Sequence, residues 1–99
     1  MVIVLFRSRL TPVAGEDYHQ MSAEMVDTAR GMPGFVDVKS FQAEDGERLT
    51  VVWWRDEETM RAWREHPRHR EAQRLGRERW YQQFRLEVAE VIRTTEFDR

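Results

Sequence analysis

The chain opens on a run of β-branched and aromatic residues, Val2 to Leu10, that ends at the turn-prone Thr11-Pro12 and Gly15 and predicts a strand. From Glu16 to Arg30 the apolar period changes. Tyr18, Met21, Met25 and Ala29, then Met32, keep helical spacing, and Glu16 and Asp17 stand at the end where the helix dipole favours negative charge. Gly31-Met32-Pro33-Gly34 stops that helix. Phe35 to Ala43 returns to an extended pattern, Asp45-Gly46 supplies a hairpin turn, and Leu49 to Trp54 completes an antiparallel pair. Asp56 is placed to cap a helix running through Glu57, Glu58, Met60, Ala62 and Trp63 until Pro67 interrupts it. Pro67 suits the first position of a further helical segment through Ala72, Leu75 and Trp80. Phe84 to Ile92 reads as the last strand; its alternation is clean at Phe84, Leu86 and Val88 and loses phase at Ala89-Glu90-Val91, where a bulge is expected.

The order βαββαβ predicts an α+β fold of ferredoxin-like type, an antiparallel sheet with helices on one face, over residues 1–99 as a single domain. A sheet covered on one face alternates polar and apolar positions, yet Val2 to Phe6 and Leu49 to Trp54 are apolar in both phases. Two helical regions shield one face. A second copy laid sheet to sheet would cover the other, which predicts a homodimer; in the alternative, these positions sit at strand ends or under the C-terminal segment.

Composition narrows the function. Ninety-nine residues bury about 60 to 65% of their unfolded surface, enough for one core. Sixteen Lys and Arg against 18 Asp and Glu leave a net charge of −2, so no excess positive field gathers phosphates or anionic lipid, and neither nucleic acid nor membrane is an expected partner. With no Cys there are no disulfides, thiolate metal sites or cysteine nucleophiles, and the opening apolar run is too short for a signal peptide; the cytoplasm is the expected compartment.

The candidate chemistry sits between Trp63 and Tyr81. His66 and His69 are spaced for a shared metal, but no nearby carboxylate or thiolate completes a ligand set, and no metal is expected. On a helix His69, Ala72, Gln73, Gly76 and Trp80 fall on neighbouring parts of one face, which can aim His69 into a cavity beside an indole; a His between Arg68 and Arg70 is more often simply a surface residue. Trp63 and Trp80 suit core anchors, and an indole N–H in an apolar pocket can also donate to a ligand oxygen. Arg74, Arg77 and Arg79 alternate with Glu71 and Glu78 and read as an ion-paired, solvated face. No glycine-rich phosphate loop or nucleophile elbow is present.

Met32-Pro33-Gly34-Phe35, Trp53-Trp54-Arg55-Asp56-Glu57-Glu58 followed by Met60-Arg61-Ala62-Trp63, and His66-Pro67-Arg68-His69 with Gly76-Arg77-Glu78-Arg79-Trp80-Tyr81 together resemble the antibiotic biosynthesis monooxygenase family of small dimeric α+β barrels. The resemblance implies a cofactor-free oxidation in which a small, acidic phenol, quinol or anthrone-like aromatic is deprotonated and its anion reduces O2. It implies Trp63 as the pocket tryptophan with His69 as the base, and Phe6, Ser8, Gln73 and Trp80 as substrate-binding positions. The haem-degrading branch of the family uses an Asn where Ser8 stands and a His where Gln73 stands, and this chain has no Asn, so haem degradation by that route is not expected. A dimeric domain that binds a small molecule or a partner without reaction is the alternative.

Overall fold

The computed structural model describes residues Met1–Arg99. Its elements are β1 (Val2–Leu10), α1 (Glu16–Arg30), β2 (Phe35–Gln42), β3 (Arg48–Trp54), α2 (Glu57–Arg64), α3 (Pro67–Leu75), a π-helical turn (Gly76–Trp80) and β4 (Tyr81–Glu90). The strands form one antiparallel sheet in the order β2-β3-β1-β4, the ferredoxin-like arrangement that the alternation of elements predicts. No helix is long and apolar enough to cross a membrane.

Local chemistry sets the element boundaries. Met32-Pro33-Gly34-Phe35 closes a turn with Phe35 N–H donating to Met32 O at 3.3 Å; Gly34 has φ +84, and a Cβ there would collide with the Thr59 side chain. Asp56 caps α2 by accepting from Thr59 N–H at 2.8 Å, while Asp56 N–H donates back to Thr59 Oγ1 at 3.4 Å. Pro67 opens α3, and His66 Nδ1 accepts from Arg68 N–H at 3.1 Å.

The last strand departs from expectation at both ends. β4 begins at Tyr81 rather than Phe84 and ends at Glu90 rather than Ile92. Its irregularity lies at the start, where Arg9 pairs Gln83 and Leu10 pairs Tyr81, and not at Ala89-Glu90-Val91, which stays in register opposite Val2 and Ile3 as far as Glu90. The Trp80 carbonyl accepts from Thr11 N–H at 2.7 Å and the Arg79 carbonyl from Thr11 Oγ1 at 2.6 Å, so the helical segment is pinned to the end of β1 and the chain enters β4 at once.

Register divides the strand residues between two faces. Val2, Val4, Phe6 and Ser8 share the helix side with Trp54, Val52 and Thr50 and with Phe84, Leu86 and Val88. Ile3, Leu5, Leu49, Val51, Trp53 and Phe41 point the other way; Val51 is buried there, Ile3, Leu5, Leu49 and Trp53 are half-buried, and Phe41 is exposed. The helices cover the sheet unevenly. Val2, Ala29, Trp54, Met60 and Trp63 form a tight core, with Trp54 1% exposed, whereas Phe84, Leu86 and Val88 remain 41 to 49% exposed on the helix side of the edge strand. Trp54→Ala is expected to destabilise the fold by about 3 to 5 kcal/mol through the cavity it leaves among five packed elements. Urea unfolding measures it, and a loss under about 0.5 kcal/mol would contradict this core.

Candidate functional site

Because α3 packs on α1 and α2 rather than on a strand, it arches over the sheet, and an open cavity of about 870 Å³ remains beneath it. That lies within the range of small-molecule sites, about 300 to 1,000 Å³. Val4, Phe6, Val52, Leu86 and Val88 floor it; Met21 and Met25 of α1 form one wall, and α3 with the π-helical turn forms the other.

Trp63, His69, Phe6, Ser8, Gln73 and Trp80 all line this one cavity. They divide between its two ends. At one end the His69 ring stacks on the Trp63 indole with centroids 4.5 Å apart and planes 10° from parallel, and His66 tilts against the same indole at 5.4 Å. No third His, Cys, Asp or Glu stands with the two histidines. His69 Nδ1 lies 3.2 Å from the Trp63 carbonyl oxygen. A carbonyl only accepts, so this contact requires the proton on Nδ1 and leaves the lone pair on Nε2. Burial holds the His69 pKa below the usual 6.5, against a smaller opposing pull from the Trp63 carbonyl. Near neutrality His69 is an uncharged base of defined tautomer. The Trp63 indole N–H has no acceptor within the chain, and no fully buried polar atom lacks a partner, so this donor reaches open space.

The other end is an aromatic cluster. Phe6 meets Tyr81 at 5.2 Å and Phe84 at 5.5 Å, and Tyr18 meets Trp80 at 5.6 Å and Tyr81 at 6.0 Å. The Tyr81 ring lies on Gly76, where a Cβ would come within 2.5 Å of it, and the π-helical turn brings the two together. Burial pushes the Tyr81 phenol up, with the Tyr18 phenol adding to the effect, so it stays protonated. Trp80 plays a different part from Trp63, because its indole N–H donates to Asp17 Oδ2 at 3.1 Å and ties the last helical turn to the start of α1. That hydrogen bond is the chief reason the Asp17 carboxyl lies below its usual range. Trp80 therefore offers the cavity its ring and not its N–H. The sequence reading did not single out Tyr18 and Tyr81 as site residues; a Tyr directly after Trp80 was the available signal for the second, which pairs Leu10 in the sheet.

A model of the antibiotic biosynthesis monooxygenase family matches residues 1–75. The chain is 36% identical over 76 residues to the uncharacterized protein YqjZ of Bacillus subtilis, taking in 77% of this chain and 67% of that protein. It is 26% identical over 104 residues to the jasmonate monooxygenase ABM of Pyricularia oryzae, across all of this chain and 48% of that protein, so it spans about half of that relative. SnoaB of Streptomyces nogalater, a cofactor-independent oxygenase, superposes with a TM-score of 0.77 at 15% identity over 94% of each chain. Rv0793 of Mycobacterium tuberculosis does so with a TM-score of 0.83 at 17% identity, over 96% of this chain and 98% of that one. At these identities the structural likeness is one of fold.

His69 generates a pH signature. Its folded pKa lies below its unfolded value, so the unfolded chain binds more protons between the two, and stability present above the usual 6.5 is lost as pH falls toward the folded pKa. NMR titration is expected to place the His69 midpoint below 6.5, and His69→Phe to flatten the decline in urea midpoint across that window. A midpoint at or above 6.5 would contradict the burial of this ring.

Proposed function

The chain belongs to the antibiotic biosynthesis monooxygenase family, and we propose that it is a cytoplasmic homodimer that oxidises a small phenol, quinol or anthrone-like aromatic with O2 and no cofactor. The observation that carries this reading is the pairing of a neutral, tautomer-defined His69 with an unengaged Trp63 N–H at one end of an apolar cavity.

His69 Nε2 takes the acidic proton of the substrate. The resulting anion is held by the Trp63 N–H, a hydrogen bond that strengthens as charge develops on the substrate oxygen. The anion passes one electron to O2, and the radical pair joins as a carbon-bound peroxide. Loss of water from the protonated peroxide leaves a new carbonyl at that carbon, so one oxygen atom enters the product and the other departs in water. The protein supplies a base, a donor and a dry site, and the redox chemistry belongs to substrate and O2.

The homodimer is supported by the half-buried apolar residues Ile3, Leu5, Leu49 and Trp53 and the exposed Phe41 on the sheet face away from the cavity. The non-catalytic alternative would favour a cavity filled by Phe and Met side chains. Here Met21, Met25, Phe6 and Phe84 line the walls and leave the volume open.

Protein treated with a metal chelator is expected to accelerate O2 uptake with anthrone or a quinol, and to sediment at twice the chain mass at micromolar concentration. His69→Ala should lower turnover about 100-fold, and Trp63→Phe about tenfold, by removing one donor while keeping most of the ring volume. Activity should fall only below the depressed His69 pKa. Silence across a broad substrate panel, or parental rates in both variants, would leave the binding domain as the better account.

A further inference from the structure

The arginines between Arg68 and Arg79 divide by where they point. Arg68 grips Glu24 with contacts of 2.6 and 2.7 Å, Arg74 holds Glu71 at 2.6 Å and Glu78 at 2.9 Å, and Arg79 lies 3.3 Å from Asp17. Arg70 and Arg77 take part in none of the chain's ion pairs, and both line the cavity. The reading of Arg74, Arg77 and Arg79 as one ion-paired face therefore holds for Arg74 and Arg79 and fails for Arg77.

Arg70 and Arg77 are two helical turns apart with Gln73 between them, so the three make one polar stripe along the rim of the cavity, about 10 Å long. Across the opening stand Phe84, Leu86 and Val88, each exposed by 41 to 49%. The Arg77 guanidinium already reaches across, 5.7 Å from the Phe84 ring centroid. Among the lining residues the single carboxylate is Glu65, 3.9 Å from Arg64, which leaves Arg70 and Arg77 as uncompensated positive charge in a chain of net charge −2. A rim with unpaired guanidinium groups above an apolar floor is complementary to an amphipathic anion, and planar guanidinium groups bind carboxylates by two parallel hydrogen bonds.

We propose that the ligand of this cavity is an aromatic carboxylic acid, its carboxylate held on the Arg70–Gln73–Arg77 stripe and its ring system on Phe6, Phe84, Leu86 and Val88. The inference rests on and deepens the oxidation reading, since it fixes the substrate's carboxylate on the rim of the same cavity that Trp63 and His69 line. The acidic group that reacts and the carboxylate that anchors are then separate functions of one molecule.

Calorimetric titration with 2-naphthoate and with its uncharged counterpart 2-naphthamide tests this directly. The parent is expected to bind the naphthoate about tenfold more tightly. Rising salt should weaken the naphthoate and leave the amide unchanged. The double variant Arg70→Gln, Arg77→Gln should bring the two affinities within about twofold without altering the amide's. Arg74→Gln, which removes a paired arginine on the outer side, should keep the parental preference. Equal affinities in the parent, salt-independent naphthoate binding, or a preference that survives the double variant would each overturn the proposal. A change in sedimenting mass in the double variant would also overturn it, by assigning these arginines to contact with a second copy. The salt dependence is read on the parent protein, so a poorly folding variant does not block the test. Binding is the readout throughout, so a protein that discriminates acid from amide yet consumes no O2 sinks the oxidation reading alone.

Discussion

The cavity exists because the helices are anchored at two places and spanned between them. At one place Trp54 fills the space among Val2, Ala29, Met60 and Trp63, and its burial fixes both α2 and the C-terminal end of α1 against β3. At the other, Asp17 accepts the Trp80 N–H and lies near the Arg79 guanidinium, joining the first turn of α1 to the last helical turn before β4. Neither contact lets α3 settle onto β1. Closing the cavity would require moving a nearly inaccessible indole or breaking a charge-assisted hydrogen bond, and close-packed interiors do not deform continuously. Concavity here follows from packing at the ends.

The same two anchors separate the chemistry into poles. Trp63 belongs to the Trp54 cluster, so its ring is fixed, and a fixed ring positions His69 by stacking and through the backbone carbonyl that orients the imidazole. Tyr81 is placed by Gly76 and by the hydrogen bonds that Thr11 makes to Arg79 and Trp80. Between the poles the floor is apolar and the rim carries Arg70, Gln73 and Arg77. A site with one protonatable end, one phenolic end and a cationic edge discriminates by the positions of a ligand's oxygens.

Much of this was legible in the residues. Period-2 runs and Asp45-Gly46 gave the hairpin, Asp56 gave the start of α2, and Pro67 gave the start of α3, because each rests on local stereochemistry that tertiary contacts did not override. Helical spacing placed His69 and Gln73 on one side of a helix that continues to Trp80; His69 and Gln73 lie on α3, Trp80 on the π-helical turn, and all three line the cavity. The start of β4 was not legible: Tyr81-Gln82-Gln83 follows the helix without Gly or Pro, and the break comes from Thr11, which is 68 residues away from Arg79. The π-helical turn has no sequence signature of its own. The two unpaired arginines were hidden for a related reason. Read linearly, Arg74 to Arg79 alternates with acids, whereas on the helix Arg70 and Arg77 share an azimuth from which Glu71 and Glu78 are rotated away.

The four tryptophans occupy four different environments, and this makes the claim that the Trp63 end of the cavity receives the ligand open to direct observation. Trp53 lies on the opposite sheet face, Trp54 is 1% exposed, Trp63 lines the cavity with an N–H that has no acceptor in the chain, and Trp80 gives its own to Asp17. Titrating 1-naphthol into ¹⁵N-labelled protein and following the indole N–H resonances should move that of Trp63 and, among the histidines, the ring signals of His69, with Trp53 and Trp80 still. Movement of Trp53 with Trp63 unmoved would place the ligand on the far face of the sheet and contradict the account.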